Sequence, residues 1–450
     1  MNDISMTTAA EPDGAPRIAV LDILRGIAIL GILFMNINDM GQSLFASFDD
    51  VRHLGWSATD QVAWACREVF ANGTARCLLE MLFGAGMVIL TTRAAEAAGH
   101  IQVLGRYYAR NLILLGFGLV HVFILLWPGD ILHSYGIAAL LAFLFARLPG
   151  RWLVVLGLNM AILIALGGVN DIVTANRNRS AVAAVQARQH DGASFTAADR
   201  KTLAAAQARA AKRAKAERES RRRVTDEDAG RRGTFASWAA AQWHTFLVIE
   251  GWGLELLIVW EAASTMLIGA GLYKLGVLQG TRSPRFYAGL TLLAYAIGIG
   301  LRSDAAWHVM QFDRAPNLDW ATNEIARLAT TLGHVGLVNW LVTTTLGARL
   351  LRPFAAAGRT ALTLYIAQTL ICLWLLFPPF ALALYGKLTW GPLMATAFII
   401  DALLLWAANV YVRHYDIAPV EWAWRSLVEG RRLPWRRQRN ASLRAAQAPR

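Results

Sequence analysis

Apolar positions along the chain gather into ten long runs, at about 19–37, 78–92, 108–127, 131–147, 151–169, 246–273, 286–301, 325–347, 360–382 and 392–412. A transmembrane helix needs about 20 apolar residues. The runs are too long and too continuous for strands, so each predicts a helix. Residues 1–16 are polar, carry Pro12, Gly14 and Pro16, and read as a disordered tail. The first run has no convincing small-residue cleavage site and is expected to be retained. The expected fold is an all-α polytopic membrane protein. It comprises the tail, a five-helix bundle over 17–170, a polar insert over 171–240, a second five-helix bundle over 241–425, and a basic tail over 426–450.

Loop charges orient this arrangement, because short loops rich in Lys and Arg stay cytoplasmic. Arg17 and Arg25 flank the first run and place the amino terminus inside. Residues 39–74 hold Asp39, Asp49, Asp50, Asp60 and Glu68 against Arg52 and Arg67, which places them outside. Arg93, Arg106 and Arg110 fall inside; Trp127-Pro128-Gly129-Asp130 is an outside turn; Arg147 and Arg151 fall inside. Lys274, Arg282 and Arg285 are inside, Asp304, Asp313 and Asp319 outside, and Arg349, Arg352 and Arg359 inside. The carboxyl tail, with Arg413, Arg425, Arg431, Arg432, Arg436, Arg437 and Arg439, is inside. Both termini are therefore expected in the cytoplasm. Only the insert, with fifteen Lys and Arg against eight Asp and Glu, runs against its outside position. Long loops translocate largely regardless of charge. Thr196 and Asp199 form a capping pair before an Ala-rich run ending near Arg223, so the insert is expected to be helical. It is either a solvated arm or a basic arm drawn to anionic lipid or surface polysaccharide.

Composition narrows the function. Of 450 residues, 56% are hydrophobic and 17% charged, where a soluble globular protein has about 25% charged. An ordinary soluble enzyme, a disordered chain and a collagen-like chain are excluded. Cys66, Cys77 and Cys372 are too few for a disulfide framework, although Cys66 and Cys77 can meet on the outside face. The net charge of +13 sits in inside loops, tail and insert, so lipid head groups rather than nucleic acid are its expected partners. There is no phosphate-binding loop, dinucleotide fingerprint, nucleophile elbow or Cys/His metal spacing, and no metal is expected.

Ionisable groups within spans need a partner or a role. Asp22 and Arg25 share one helical face: either an interfacial salt bridge, or a grip on an anionic cofactor group. His121 lies six residues before Trp127, roughly 9 Å below the outer boundary at 1.5 Å per residue. It is either a hydrogen-bonding partner of a neighbouring helix or a general base facing an outer vestibule. Asp130 either caps the next helix or orients His121. His53, in the first outside loop, is a second base candidate. Glu261, His334 and Asp401 either pair or line a polar path. Gly84, Gly86, Gly269 and Gly271 suggest close helix packing.

Several motifs resemble one family. They are Arg17…Leu21-Asp22-Ile23-Leu24-Arg25-Gly26, Gly31-Ile32-Leu33…Asn36, and Leu82-Phe83-Gly84-Ala85-Gly86. Next come Gly116-Phe117…His121…Trp127-Pro128-Gly129-Asp130-Ile131-Leu132…Tyr135-Gly136 and Met266-Leu267-Ile268-Gly269. Gly358-Arg359-Thr360-Ala361-Leu362-Thr363…Tyr365…Gln368 and Pro419-Val420-Glu421-Trp422…Trp424-Arg425 complete the set. Together they resemble the YeiB-like family of bacterial inner-membrane proteins, whose function is unknown. That family is similar to the transmembrane acyltransferases, a group that includes the lysosomal heparan-α-glucosaminide N-acetyltransferase. The resemblance implies acyl transfer from a cytoplasmic acyl-CoA to an acceptor across the membrane. His53-Leu54-Gly55-Trp56 is similar to the lysosomal enzyme's catalytic His-x-x-Trp. Leu364 in place of Asn, Glu80 in place of a small residue, and Asp401 and His334 depart from the pattern. The resulting expectation is an inner-membrane acyltransferase. His121 or His53, with Asp130, serves as base; Asp22, Arg25, Asn36 and Arg359 hold an acyl-CoA; an envelope sugar, lipid or small metabolite is the acceptor. The alternatives are a proton-coupled transporter or exporter and a non-catalytic scaffold.

Overall fold

The computed structural model describes residues 19–436, apart from 54, 98–99, 193, 252 and 313–315 and the side chains of 93–103. The 1–16 tail, Arg17, Leu54, Asp313, the Arg93 side chain and the tail from 437 lie outside the described residues. Described elements are helical throughout. The first half contains α1 (Ala19–Gly41), α2 (Leu44–Asp49), α3 (Ala58–Phe70), α4 (Thr74–Ala97), α5 (His100–Phe123), α6 (Leu132–Phe143) and α7 (Gly150–Gly157). The insert and its flanks are α8 (Asn159–His190), α9 (Ala197–Arg232) and α10 (Phe235–Gly251). The second half contains α11 (Leu254–Lys274), α12 (Pro284–Met310), α13 (Asp319–Val342), α14 (Thr345–Arg359) and α15 (Ala361–Thr369), which runs on as a π-helical segment (Leu370–Leu376). It closes with α16 (Trp390–His414) and α17 (Pro419–Glu429).

Seven helices among the described residues are long and apolar enough to cross a membrane. Counting α14 with the α15 segment, bent by 76° at Thr360, as one span makes eight. The other two of the ten expected spans fall short for physical reasons. The run at 131–147 yields only the 12-residue α6, about 18 Å at 1.5 Å per residue, against a hydrocarbon core of about 30 Å. α5 is long enough, but its first half carries Arg106, Arg110 and Asn111. The run at 151–169 belongs to a helical stretch from Gly150 to His190 that leaves the expected span well behind.

Glycines let the central helices touch. A Cβ on Gly358 would lie 1.8 Å from the Asp22 carbonyl oxygen, where α14 crosses α1; one on Gly84 would lie 1.8 Å from the Met266 carbonyl, where α4 crosses α11. Gly269 and Gly271 are equally tight, against Met81 and Gly150. Gly86 differs: a Cβ there meets nothing within 4 Å. Some loops expected on the same side meet: Lys274 donates to the Ala146 and Leu148 carbonyls at 2.7 and 2.8 Å, and at the loops expected outside Trp390 donates to Val51 and Arg302 to Asn72.

The insert is a helical hairpin. The Thr196–Asp199 capping box forms as expected. α9 does not end near Arg223 but runs to Arg232, and its last turns are docked rather than solvated. Glu227 caps α2, accepting from Ser43 Oγ at 2.5 Å and from the backbone N–H groups of Leu44 and Phe45 at 3.1 and 3.3 Å. Arg231, 1% exposed, closes the end of α1 by donating to the carbonyls of Asp39 and Gln42 at 3.0 and 2.9 Å, and also to that of Met40.

Candidate functional site

The amino-terminal end of α1 opens onto a cavity of about 280 Å³, walled by α1, α4, α5, α6, α14, α15 and α17. Four guanidinium groups, Arg25, Arg110, Arg359 and Arg425, line it together with the carboxylates of Asp22 and Glu421. Arg25 donates to Asp22 Oδ1 at 2.8 Å, and Arg110 lies over the Trp424 ring at 4.2 Å. Glu421 sits at the bend between α14 and α15, accepting from the backbone N–H groups of Leu362 and Thr363 at 2.6 and 3.2 Å. Those two donors are orphans of the helix start, which is why the chain can bend there without loss. Burial pushes the Glu421 carboxyl above its ordinary range, against the pull of Thr363. Deeper in, the walls turn apolar with Ile29, Leu79, Leu82, Phe83 and Leu114. Gly86 lines this part, and its missing side chain is what keeps the space open. Ile131, Leu132, Tyr135 and Tyr365 close the far end.

Behind that end wall lies Asp130. Its Oδ1 meets His121 Nδ1 at 2.6 Å and accepts from the Tyr365 hydroxyl at 3.3 Å. Its Oδ2 meets His133 Nδ1 at 2.8 Å and accepts from the His133 backbone N–H at 3.0 Å. Asp130 therefore does both things expected of it as alternatives: it caps the start of α6 and it orients an imidazole. His121 is placed differently from the expected vestibule base. Its ring is fully enclosed, and its second nitrogen is 2.9 Å from Thr369 Oγ1. The reason is the chain path: α5 ends at Phe123, Leu126 takes a left-handed φ of 56°, and the buried Trp127 folds back over the helix end. His121 meets the cavity wall through Asp130 and Tyr365.

The other expected residues separate. Asp22, Arg25 and Arg359 line the cavity. Asn36 does not: it is half-buried on α1, eleven residues past Arg25 and so about 16 Å further along the helix. His53 meets Asp228 at the foot of α9, Nε2 to Oδ2 at 2.9 Å, with Tyr385 donating to the other oxygen at 2.8 Å. The Asp228 hydrogen bond raises the His53 pKa above its ordinary value. Glu261, His334 and Asp401 form no shared path. Glu261 pairs with Arg76 at 2.6 Å and with Arg327 at 2.9 Å. His334 meets the Tyr295 hydroxyl at 2.7 Å, and Asp401 accepts from Gln368 at 3.2 Å. Glu80, fully buried, is compensated by Arg76 and Arg327 and touches Tyr135 at 3.4 Å. All three cysteines are free, so Cys66 and Cys77 do not pair. His133 escaped the sequence reading. Its signal was its place three residues after Asp130, where a carboxylate that caps a helix also reaches the side chain one turn on.

Comparison with known proteins now places the chain. Residues 272–431, from the end of α11 to just past α17, match the family described as protein of unknown function DUF418. This stretch supplies Arg359, Tyr365, Glu421 and Arg425, one wall of the cavity. The chain is 27% identical to the uncharacterized protein YeiB of Escherichia coli K12, over 91% of this chain and 96% of that protein. It is 26% identical to the uncharacterized protein YxaH of Bacillus subtilis 168, over 91% and 94%. The chain is similar to these two proteins, and its apolar helices are those of a multi-pass membrane protein. No solved structure matches it significantly. Because the similarity runs nearly end to end, it spans both walls of the cavity.

Proposed function

We propose that the protein is an inner-membrane acyltransferase that takes an acyl donor of the acyl-CoA type from the cytoplasmic side and passes its acyl group to an envelope sugar, lipid or small metabolite. One observation carries this reading: a single cavity begins among four arginines and ends under Tyr365, whose hydroxyl is bonded to Asp130. Guanidinium groups match phosphate geometry, and here they outnumber the carboxylates beside them. The apolar depth beyond suits an acyl chain or pantetheine arm, and loop charge favours a cytoplasmic arginine end.

In the reaction, the acceptor's hydroxyl or amine attacks the thioester carbon, forming the new ester or amide bond as the carbon–sulfur bond breaks. The acceptor's proton passes through the Tyr365 hydroxyl to the Asp130 cluster, and the CoA leaves as a thiolate toward the arginines, taking a proton from cytoplasmic water. Acid–base help of this kind contributes about 10²–10⁴-fold. Enclosure of donor and acceptor in one fixed cavity supplies the rest. Transport is less well supported, since the intramembrane acids each have their own partners.

The test is transfer of radiolabel from acyl-CoA by the purified protein in liposomes loaded with envelope extract. Labelled product from wild type, lost in Tyr365→Phe and in Arg25→Ala/Arg359→Ala, supports the reading. Label that stays on CoA in every preparation overturns it.

A further inference from the structure

Three carboxylate- or imidazole-bearing residues converge on the opposite side of Asp130 from the cavity. His133 stands in the first turn of α6, Glu250 ends α10 and Glu255 begins α11, across the break at 251–253. One ligand-capable atom from each lies within 4.8 Å of the others, and His133 Nε2 is 3.3 Å from Glu255 Oε2. We infer that these three residues bind a divalent transition-metal ion of the zinc class.

The hydrogen bonding around the cluster argues for a cation. Asp130 Oδ2 sits 2.8 Å from His133 Nδ1, which assigns the ring's proton to Nδ1 and leaves the Nε2 lone pair facing two carboxylates. A lone pair and two anions repel unless something positive lies between them. A second proton on Nε2 would serve only Glu255 Oε2. It would bond neither Glu255 Oε1, a buried atom with no hydrogen-bond partner among the described residues, nor Glu250, which would feel only its charge. A dication serves all three at once. A carboxylate behind a histidine, fixing its tautomer and raising its basicity, is the usual support of a metal-bound imidazole, and Asp130 is in that position. Ser134 Oγ holds Glu255 Oε2 at 3.1 Å, so this carboxylate is also oriented from behind.

Donor chemistry sets the class of ion. One imidazole nitrogen with two carboxylates suits zinc or manganese. Calcium and magnesium prefer oxygen alone, and soft ions need thiolates, which the cluster lacks. Three protein ligands leave a coordination position for water or substrate. Glu250, half-exposed at the end of its helix, marks the side from which an ion enters. The site goes beyond the acyl-transfer reading and does not depend on it, since the cavity's arginines lie at the other end of the bundle.

The experiment is zinc binding to the full-length, tag-free protein in detergent, by equilibrium dialysis with labelled zinc and by elemental analysis after desalting. Wild type retains about one zinc per chain; Glu250→Gln and Glu255→Gln each lower affinity at least tenfold; Asp130→Asn weakens it about 10–100-fold. His53→Ala, in the other His–Asp pair, leaves binding unchanged. Monodisperse elution of Glu250→Gln, whose side chain is partly solvated, separates lost ligation from lost folding. Wild type that holds no more zinc than a His133→Gln/Glu250→Gln/Glu255→Gln triple variant overturns the site, and so does magnesium binding as tight as zinc. Acyl transfer plays no part in these readouts, so this site and the proposed function fail separately.

Discussion

Among the described residues two aspartate carboxylates lie within hydrogen-bond distance of histidine rings, and their surroundings differ. Asp130 is enclosed by the bundle and satisfied by four donors from three elements, with a ligand-sized cavity on one side and a pair of glutamates on the other. Asp228 sits on the insert, buried beside a partly exposed His53, and its donors His53, Tyr385 and Arg232 tie the end of α9 to the loops of the bundle. The same chemical pair makes a candidate reaction centre in one place and a fastening in the other. A carboxylate–imidazole contact gains a chemical role from what lies beside it, and only Asp130 has a cavity behind its wall.

Removing each carboxylate breaks the comparison most forcefully. Asp130→Ala leaves two imidazoles and a tyrosine hydroxyl unsatisfied in the interior and lowers stability by about 3–5 kcal/mol, read from thermal denaturation in detergent. Asp228→Ala takes the acceptor from the buried Tyr385 hydroxyl and from a partly exposed His53 and lowers it less, by about 1–3 kcal/mol. Comparable losses would erase the distinction. The foot of the insert does have one deeply buried pair of its own. Arg231→Ala strands Glu227 and the last carbonyls of α1, costing about 3–5 kcal/mol, whereas Arg231→Met/Glu227→Gln, which removes both charges, recovers most of it.

The pH dependence of the foot has a definite sign. His53 has a pKa raised chiefly by its hydrogen bond to Asp228, so its contribution is complete below the ordinary histidine value and fades as pH rises through the raised one. Burial pushes the Asp228 carboxyl up, but the bonds from His53 and Tyr385 outweigh it and leave the pKa lowered. Its contribution is present above the ordinary carboxylate value and is lost as pH falls through the lowered one. The other charges near His53 are Arg232, which disfavours its protonation, and Asp50, which favours it. Hydrogen-exchange protection across 225–232, measured relative to the intrinsic rate at each pH, is therefore greatest in mildly acidic buffer and falls several-fold on alkalinisation. In His53→Gln that alkaline loss of protection disappears. The smallest effect falls on the exposed part of α9: Lys215→Ala, which removes a solvated i,i+4 pair with Glu219, changes stability by less than about 0.5 kcal/mol.

Much of this was legible in the sequence, and the failures have physical causes. Apolar runs located most of the helices, because burying hydrocarbon is averaged over many residues. The span count was less secure, since an apolar run such as 131–147 does not disclose that its helix stops at Phe143. Gly84 and Gly86 look identical in sequence, yet one meets a backbone carbonyl and the other an open cavity. Glu227 and Arg231 look like any solvated i,i+4 pair in a charged helix; only the loops around Ser43 and Gln42 make them an anchor. His121 was drawn to the outer boundary by helix geometry that ignored the backbone reversal at Leu126.

The central claim is that the arginine-rimmed cavity receives a phosphate-bearing acyl donor. Gly86→Phe tests it most directly, because the new side chain enters open space instead of a packed contact. Equilibrium binding of labelled acyl-CoA to the purified protein is predicted to saturate for wild type, to fall at least tenfold in Gly86→Phe, and to leave the unfolding temperature unchanged. Equal binding by wild type and Gly86→Phe, with both folded, would contradict the account.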